Sequence, residues 1–136
     1  MALADDIVVV DTNVLSFFIK NDTRATLYQP HLDGRLQIIA AQTLAELELW
    51  ALIHNWGTRR RATLHAYLKE FVLAEADEAI CFSWAAVQAN ARKLGRPISV
   101  SDAWIAATAL AYEVVLVTHN PDDFKNVPGL SIVTEK

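Results

Sequence analysis

Three carboxylates, Asp11, Glu46 and Asp102, each stand where a helix is expected to start. Asp11 follows Ile7-Val8-Val9-Val10, Glu46 comes three residues after Thr43, and Asp102 comes three after Ser99 and one after Ser101. The sequence has one cysteine, Cys81, and its histidines show no metal-ligand spacing, so the ligands on offer are hard oxygens. Such a set suits Mg²⁺ or Mn²⁺ better than Zn²⁺. Mg²⁺ takes one or two carboxylates and completes its shell with water and phosphate oxygens, so metal-assisted hydrolysis of a phosphodiester is the chemistry implied. Each acid also has a purely local explanation. Asp is a favoured helix N-cap. Thr43 and Glu46 have the spacing of a capping box, and Asp102 suits the positive end of a helix dipole. What weighs against three separate local explanations is that the acids, if gathered, would repel one another unless cations bound them.

The elements that must position these acids follow from the apolar pattern. Four β-branched or apolar residues at 7–10 read as a strand buried on both faces, as a central parallel strand is. Residues 14–20 predict a short helix and residues 23–30 a second, with a turn at Gly34. Residues 36–40 predict a strand, and 43–56 a strongly apolar helix stopping at Gly57. The arginine triplet Arg59-Arg60-Arg61 opens a helix to about residue 70, and 71–74 is a weaker strand. Asp77 starts a long helix with Ile80, Trp84, Val87 and Leu94 at helical spacing, stopped by Gly95 and Pro97. An alanine-rich helix at 102–111, a strand at 113–118, a turn at 119–124 and a closing strand at 130–133 complete the chain. Strands alternating with helices imply right-handed crossovers and a parallel sheet, an α/β architecture. The carboxyl ends of the strands then share one edge, where ligands of open α/β sheets sit. That edge collects Asp11, the 42–46 turn and the 118–123 turn.

The totals exclude several classes. At 136 residues, 53% hydrophobic and 21% charged, the chain has the size and composition of one globular domain. No apolar run approaches the roughly 18 residues of a membrane span, and the first six residues lack the basic and apolar regions of a secretory signal. A cytoplasmic protein of a reducing compartment is expected. A net charge of −4 gives no general phosphate-binding surface. Cations bound at an acidic site would offset that locally. The triplet at 59–61 and the looser group Arg92, Lys93 and Arg96 read first as solvated helix ends.

Four segments, taken in order, resemble the PIN-domain family, and more narrowly the VapC-type toxin ribonucleases of toxin–antitoxin pairs. They are Val8-Val-Val-Asp11-Thr-Asn-Val, Thr43-Leu-Ala-Glu46-Leu, Arg96-Pro-Ile-Ser-Val-Ser-Asp102-Ala-Trp-Ile-Ala-Ala-Thr-Ala and Leu116-Val-Thr-His-Asn120-Pro-Asp-Asp-Phe124. The resemblance covers nearly the whole chain, so residues 1–136 are expected to be a single PIN-like nuclease domain. It implies a parallel sheet of about five strands flanked by helices. It also implies a Mg²⁺- or Mn²⁺-dependent endoribonuclease acting on RNA, tRNA or ribosomal RNA, and neutralised by a cognate antitoxin. A homodimer is implied, with higher assembly through the antitoxin and operator DNA contacted only through it. Asp11, Glu46 and Asp102 match the family's acidic, metal-holding positions, Asn13 a polar position beside the first acid, and Thr118 the hydroxyl after the fourth strand. The family often carries a fourth acid where this chain has Asn120. Asp123 follows three residues later, either supplementing the site or only stabilising its turn.

Other residues have less specific readings. His119 falls beside the site, as a phosphate contact or simply an exposed turn residue. Trp50, Trp56, Trp84 and Trp104 lie among apolar neighbours and read as packing residues. Phe17-Phe18 and the apolar run at 47–53 exceed what a small domain buries, which points to a partner: a second protomer, an antitoxin helix, or both. The arginine groups would then grip RNA phosphates or pair with antitoxin acids. Two rival functions remain. A phosphatase of the haloacid dehalogenase type needs a second Asp where this chain has Asn13. A PIN-like binding module without turnover is favoured only by Asn120.

Overall fold

Ile7–Val10 (β1) is the middle strand of a five-stranded, all-parallel sheet in the computed structural model, which describes residues 6–136. Residues 1–5, most of the stretch read above as unlike a secretory signal, lie outside the described residues. The chain continues as Thr12–Ile19 (α1), Ala25–Leu32 (α2), Leu36–Ala40 (β2), Ala41–Ile53 (α3), Thr58–Leu68 (α4) and Val72–Ala74 (β3). Glu78–Leu94 (α5), Val100–Tyr112 (α6), Val115–Val117 (β4), a 3-10 turn at Pro121–Phe124 and Ile132–Val133 (β5) complete it. The strand order is β3-β2-β1-β4-β5, with Val8 paired to Gln37 on one side and to Val115 on the other. The order reverses at β1, and a crevice at such a switch point is where open α/β sheets place ligands.

Period-two alternation along β1 builds two cores. Val8 and Val10 face α1 to α4, with Leu15, Tyr28, Leu47 and Leu64. Val9 faces the other way, into α5 and α6, with Ile80, Ile105 and Ala106. Helices therefore cover both faces of the sheet, which is why the strand carries no polar residue until it ends. Ala103, Ala106, Ala107 and Ala109 are all buried, and their small side chains let α6 lie close to the sheet and to α5.

Several boundaries differ from the expectations. The third helix starts at Ala41, capped by the extended Ala40 without a side chain, so Thr43 is already inside it. The capping box expected from Thr43 and Glu46 does not form. The same helix stops at Ile53 rather than near Trp56, because Asn55 turns left-handed at φ 54. Pro30 lies inside α2 rather than ending it; only its own N–H is missing, and Asp33 still closes onto the Gln29 carbonyl at 3.0 Å. Glu113, expected in the fourth strand, instead caps α6 at φ 57. Leu94 is exposed, and Ala91 takes the buried place at that end of α5. Phe17 is buried, so it is not part of the apolar surplus. The surplus includes Leu49, Leu52 and Ile53 in the second half of α3, and Phe82 on α5.

Candidate active site

Asp11 serves both of its readings at once. Its backbone N–H extends the β1–β4 ladder to the Val117 carbonyl at 2.9 Å, and its own carbonyl accepts the first α1 bonds from Val14 and Leu15. Its carboxylate accepts the Thr12 N–H at 2.7 Å, as a helix cap does. The other oxygen accepts the Thr118 hydroxyl at 2.7 Å and the Asn13 amide at 3.2 Å. Only 5% of Asp11 is exposed, and burial pushes its carboxyl up to about 6. The Thr118 and Thr12 bonds pull the value down, while the charges of Asp102 and Glu46 push it further up. Two acids remote in sequence are thus close enough to be felt.

Thr118 is fully buried and is the joint of this corner. It donates to Asp11 and accepts from the Asn120 backbone N–H at 3.0 Å and from Asn13 Nδ2 at 3.4 Å. Asn13 Oδ1 in turn accepts the His119 backbone N–H at 3.1 Å. His119 is partly buried rather than simply an exposed turn residue. Its ring stands edge-on to Phe17 and to Tyr28, and its Nδ1 pairs with the Tyr28 hydroxyl at 2.5 Å. Burial, then the charges of Arg24 and Lys136, lower its pKa, and the ring braces Phe17 and Tyr28.

Glu46 reaches the same cleft from α3. Its Oε1 accepts the Ser101 hydroxyl at 3.0 Å and lies 3.3 Å from Thr12 Oγ1. Thr12 Oγ1 is also 3.0 Å from Thr43 Oγ1. One hydroxyl proton cannot serve both neighbours, and both are satisfied if Thr43 donates to Thr12 and Thr12 donates to the carboxylate. The hydroxyl that failed to cap the helix therefore steadies Glu46 through α1. Asp102 occupies the first turn of α6, where its backbone N–H bonds the Ser99 hydroxyl at 3.0 Å. Burial raises the Asp102 pKa, and the charge of Asp123 raises it further.

These side chains line one cleft of about 390 Å³, together with Asn13, Asn120 and Asp123. Asn120 and Asp123 are exposed on the 3-10 turn, and Asp123 faces the same cleft as the three principal acids. Thr12, Ser16, Lys20, Trp50 and Ser101, none of them a candidate site residue from the sequence, also line it. Their signal was periodicity: Asn13, Ser16 and Lys20 share one face of α1, and Glu46 and Trp50 one face of α3. Among the described residues Lys20 is the only cation lining the cleft, 4.3 Å from the Trp50 ring centroid. His31, His54 and His65 are engaged elsewhere, with Glu135, the Trp50 carbonyl and Glu48 respectively. Trp84 and Trp104 stack on each other, as packing residues do.

The donor set is entirely oxygen. Among the described residues no three His, Cys, Asp or Glu side chains converge closely enough to enclose a cation. All-oxygen donors suit a hard cation that keeps much of its water and takes one or two carboxylates, better than they suit a tetrahedral nitrogen and sulfur site. A buried carboxylate such as Asp11, its pKa raised by burial and further by the charges of Asp102 and Glu46, is also what a bound divalent cation relieves.

A family model for the PIN domain matches residues 8–130. The tRNA(fMet)-specific endonuclease VapC of Shigella flexneri is 27% identical over 122 residues, covering 90% of this chain and 92% of that protein. Ribonuclease VapC1 of Haemophilus influenzae is 29% identical over 127 residues, covering 91% and 94%. Among solved structures, VapBC2 of Rickettsia felis bound to a promoter DNA fragment superposes with a TM-score of 0.84 at 21% identity, over 96% of this chain and 99% of that one. VapBC-1 of nontypeable Haemophilus influenzae gives 0.80 at 26% identity, over 94% and 97%.

Proposed function

The chain belongs to the PIN-domain family, and from that premise we propose that it is a divalent-metal-dependent endoribonuclease, the toxin of a VapBC-like pair. The observation that carries this reading is the gathering of Asp11, Glu46 and Asp102, from three separate crossovers, around one cleft at the carboxyl edge of the sheet. Relatives named as VapC ribonucleases and as a tRNA(fMet)-specific endonuclease support RNA, and tRNA first, as the substrate. Solved VapBC complexes of the same fold support a cognate antitoxin as the partner, with operator DNA reached through it. The absence of any described helix long and apolar enough to cross a membrane is compatible with work in the cytoplasm.

Asp11, Glu46 and Asp102 would supply the carboxylates for the cation, Mg²⁺ or Mn²⁺, one or two of them directly and the rest through its water shell, with Asn120 and Asp123 as supplementary oxygens. The bound ion supplies Lewis acidity, which makes water a nucleophile at neutral pH and offsets charge on the phosphate. The remaining work belongs to the chain. Thr118 and Asn13 fix the Asp11 carboxylate through bonds to one oxygen. Ser101 and Thr12 do the same for Glu46. Asp123 stands on the exposed turn near enough to Asp102 for its charge to be felt there, and it faces the same cleft. Lys20 offers the substrate a positive charge inside the cleft.

The test is cleavage of purified bacterial tRNA with added Mg²⁺ or Mn²⁺. The parent is expected to cut and to stop with chelator, and Asp11→Asn and Asp102→Asn to be inactive while folded. RNA bound by the parent but never cut would favour the binding-module reading that Asn120 keeps open. Variants that cut like the parent would show that the site is elsewhere.

A further inference from the structure

A second hollow, about 370 Å³, lies against the first. Its walls are the end of α5, the 96–99 segment leading into α6, and residues 125–127 after the 3-10 turn. Asp102 and Asp123 line both hollows, so the two meet along the carboxylates. Arg96 and Lys125 line only the second, and neither enters an ion pair among the described residues. Lys20 and Trp50 line only the first. The order along the surface is therefore cation, carboxylates, cations.

The walls of the second hollow are pinned by one helix. From α5, Gln88 Nε2 donates to the Ile98 carbonyl at 3.4 Å and Asn90 Nδ2 donates to the Asn126 carbonyl at 3.3 Å. Arg96 leaves α5 through the left-handed Gly95, its N–H bonded to the Ala91 carbonyl at 2.9 Å. Lys125 directly follows Phe124, which is buried. Both cations are thus carried on backbone fixed relative to the carboxylates. A chain of net charge −4 gives a polyanion little general attraction. A strand crossing clustered carboxylates needs local cations on either side. Asp122 also faces the second hollow, so it would hold an isolated anion poorly and favours a phosphate whose strand is anchored next door.

We propose that this second hollow is a phosphate subsite for the RNA strand, which runs from Lys20 across the carboxylates to Arg96 and Lys125. The proposal rests on the RNA-cleaving reading above. The probe is a fluorescent single-stranded RNA of about 12 nucleotides, within the span one small domain can hold. Its binding is read by anisotropy with chelator present, at about 50 to 200 mM KCl. The double variant Arg96→Gln/Lys125→Gln is expected to weaken binding about tenfold and to flatten the salt dependence by about one unit of slope. Lys20→Gln should also flatten it. Lys69→Gln, at the amino edge of the sheet, should bind like the parent. In cleavage with Mg²⁺ the double variant should show a raised KM with kcat largely kept. Parent-like binding and KM in the double variant overturn the proposal. So does an equal loss in Lys69→Gln, which would reduce the effect to net charge, and so does a parent that does not bind the RNA. A parent that binds with these dependences yet never cuts overturns the nuclease reading and leaves the strand path standing.

Discussion

At the scale of single residues, Asp11 is held in a state the free chain would not choose. Its carboxyl sits near 6, against 3.8 for an ordinary aspartate, and burial is the main cause. The folded protein binds this proton more tightly than the unfolded one. Stability of the metal-free protein should therefore rise as pH falls through about 6 and level off below about 4, a gain of about 3 kcal/mol for this group. Asp11→Asn removes the buried charge and can still accept the Thr12 N–H. It should stabilise the metal-free protein by about 1–3 kcal/mol near pH 7.5, with the gain vanishing towards pH 4, as read by urea unfolding with chelator present. On the proposed reading the same change should lower RNA cleavage by about 10²-fold or more, since the cation would lose the most buried of its carboxylates. A substitution that stabilises while abolishing turnover is the mark of a residue retained for chemistry. Thr118→Val should act in the opposite direction on the proton. Losing the hydroxyl raises the Asp11 pKa further, so the acid limb of the cleavage profile should move to higher pH. It also strands the Asn120 N–H, and about 1–3 kcal/mol of stability should be lost in the same unfolding experiment.

At the scale of elements, the site depends on where helices begin. Asp11, Asp77 and Ser99 each accept a backbone N–H at a helix start, at 2.7, 2.9 and 3.0 Å. Only Asp11 adds bonds from a distant strand end, from Thr118. The helix carrying Glu46 has no side-chain cap, and that is what frees Thr43 to reach Thr12. Ends of helices matter for stability instead. Glu113 closes α6 in the left-handed region at φ 57, where a side chain is strained and glycine is not. Glu113→Gly should stabilise the fold by about 0.5–1 kcal/mol without changing cleavage, and a thermal melt beside a cleavage assay would show it. Loss of stability there would mean that the Glu113 side chain contributes through contacts of its own.

At the scale of the whole molecule, the sheet order brings three crossovers to one crevice and leaves apolar surface that the crevice does not use. Leu49, Leu52 and Ile53 are each more than half exposed in the second half of α3, and Phe82 on α5 is 76% exposed. An apolar helix end of this kind suits an amphipathic partner helix. Leu52→Lys/Ile53→Lys should leave RNA cleavage by the free protein unchanged and weaken its neutralisation by the cognate antitoxin at least about tenfold, from two lost apolar contacts. Titrating antitoxin into a cleavage assay would measure this. Unchanged neutralisation would move the antitoxin to another face and leave these residues to a second protomer.

The sequence by itself determined the strands, the helices between them, and the three acids at the ends of crossovers, because burial on both faces and helical periodicity are local signals. Ile7 to Val10 could be little else than a central strand, and a carboxylate directly after it had to emerge at the sheet edge. Tertiary structure alone decided which local explanation each polar residue kept. Thr43 and Glu46 carry the letters of a capping box and make a different set of bonds, because Ala40 already starts the helix and Thr12 stands within reach. His119 is a turn residue in sequence and a brace in space, because Phe17 and Tyr28 close around it. Asp123 comes to face the cleft through the packing of its turn on α6, and Arg96 and Lys125 come to share a hollow through bonds from α5 to two separate loops. Contacts of that kind join residues far apart in the chain, and no local pattern records them.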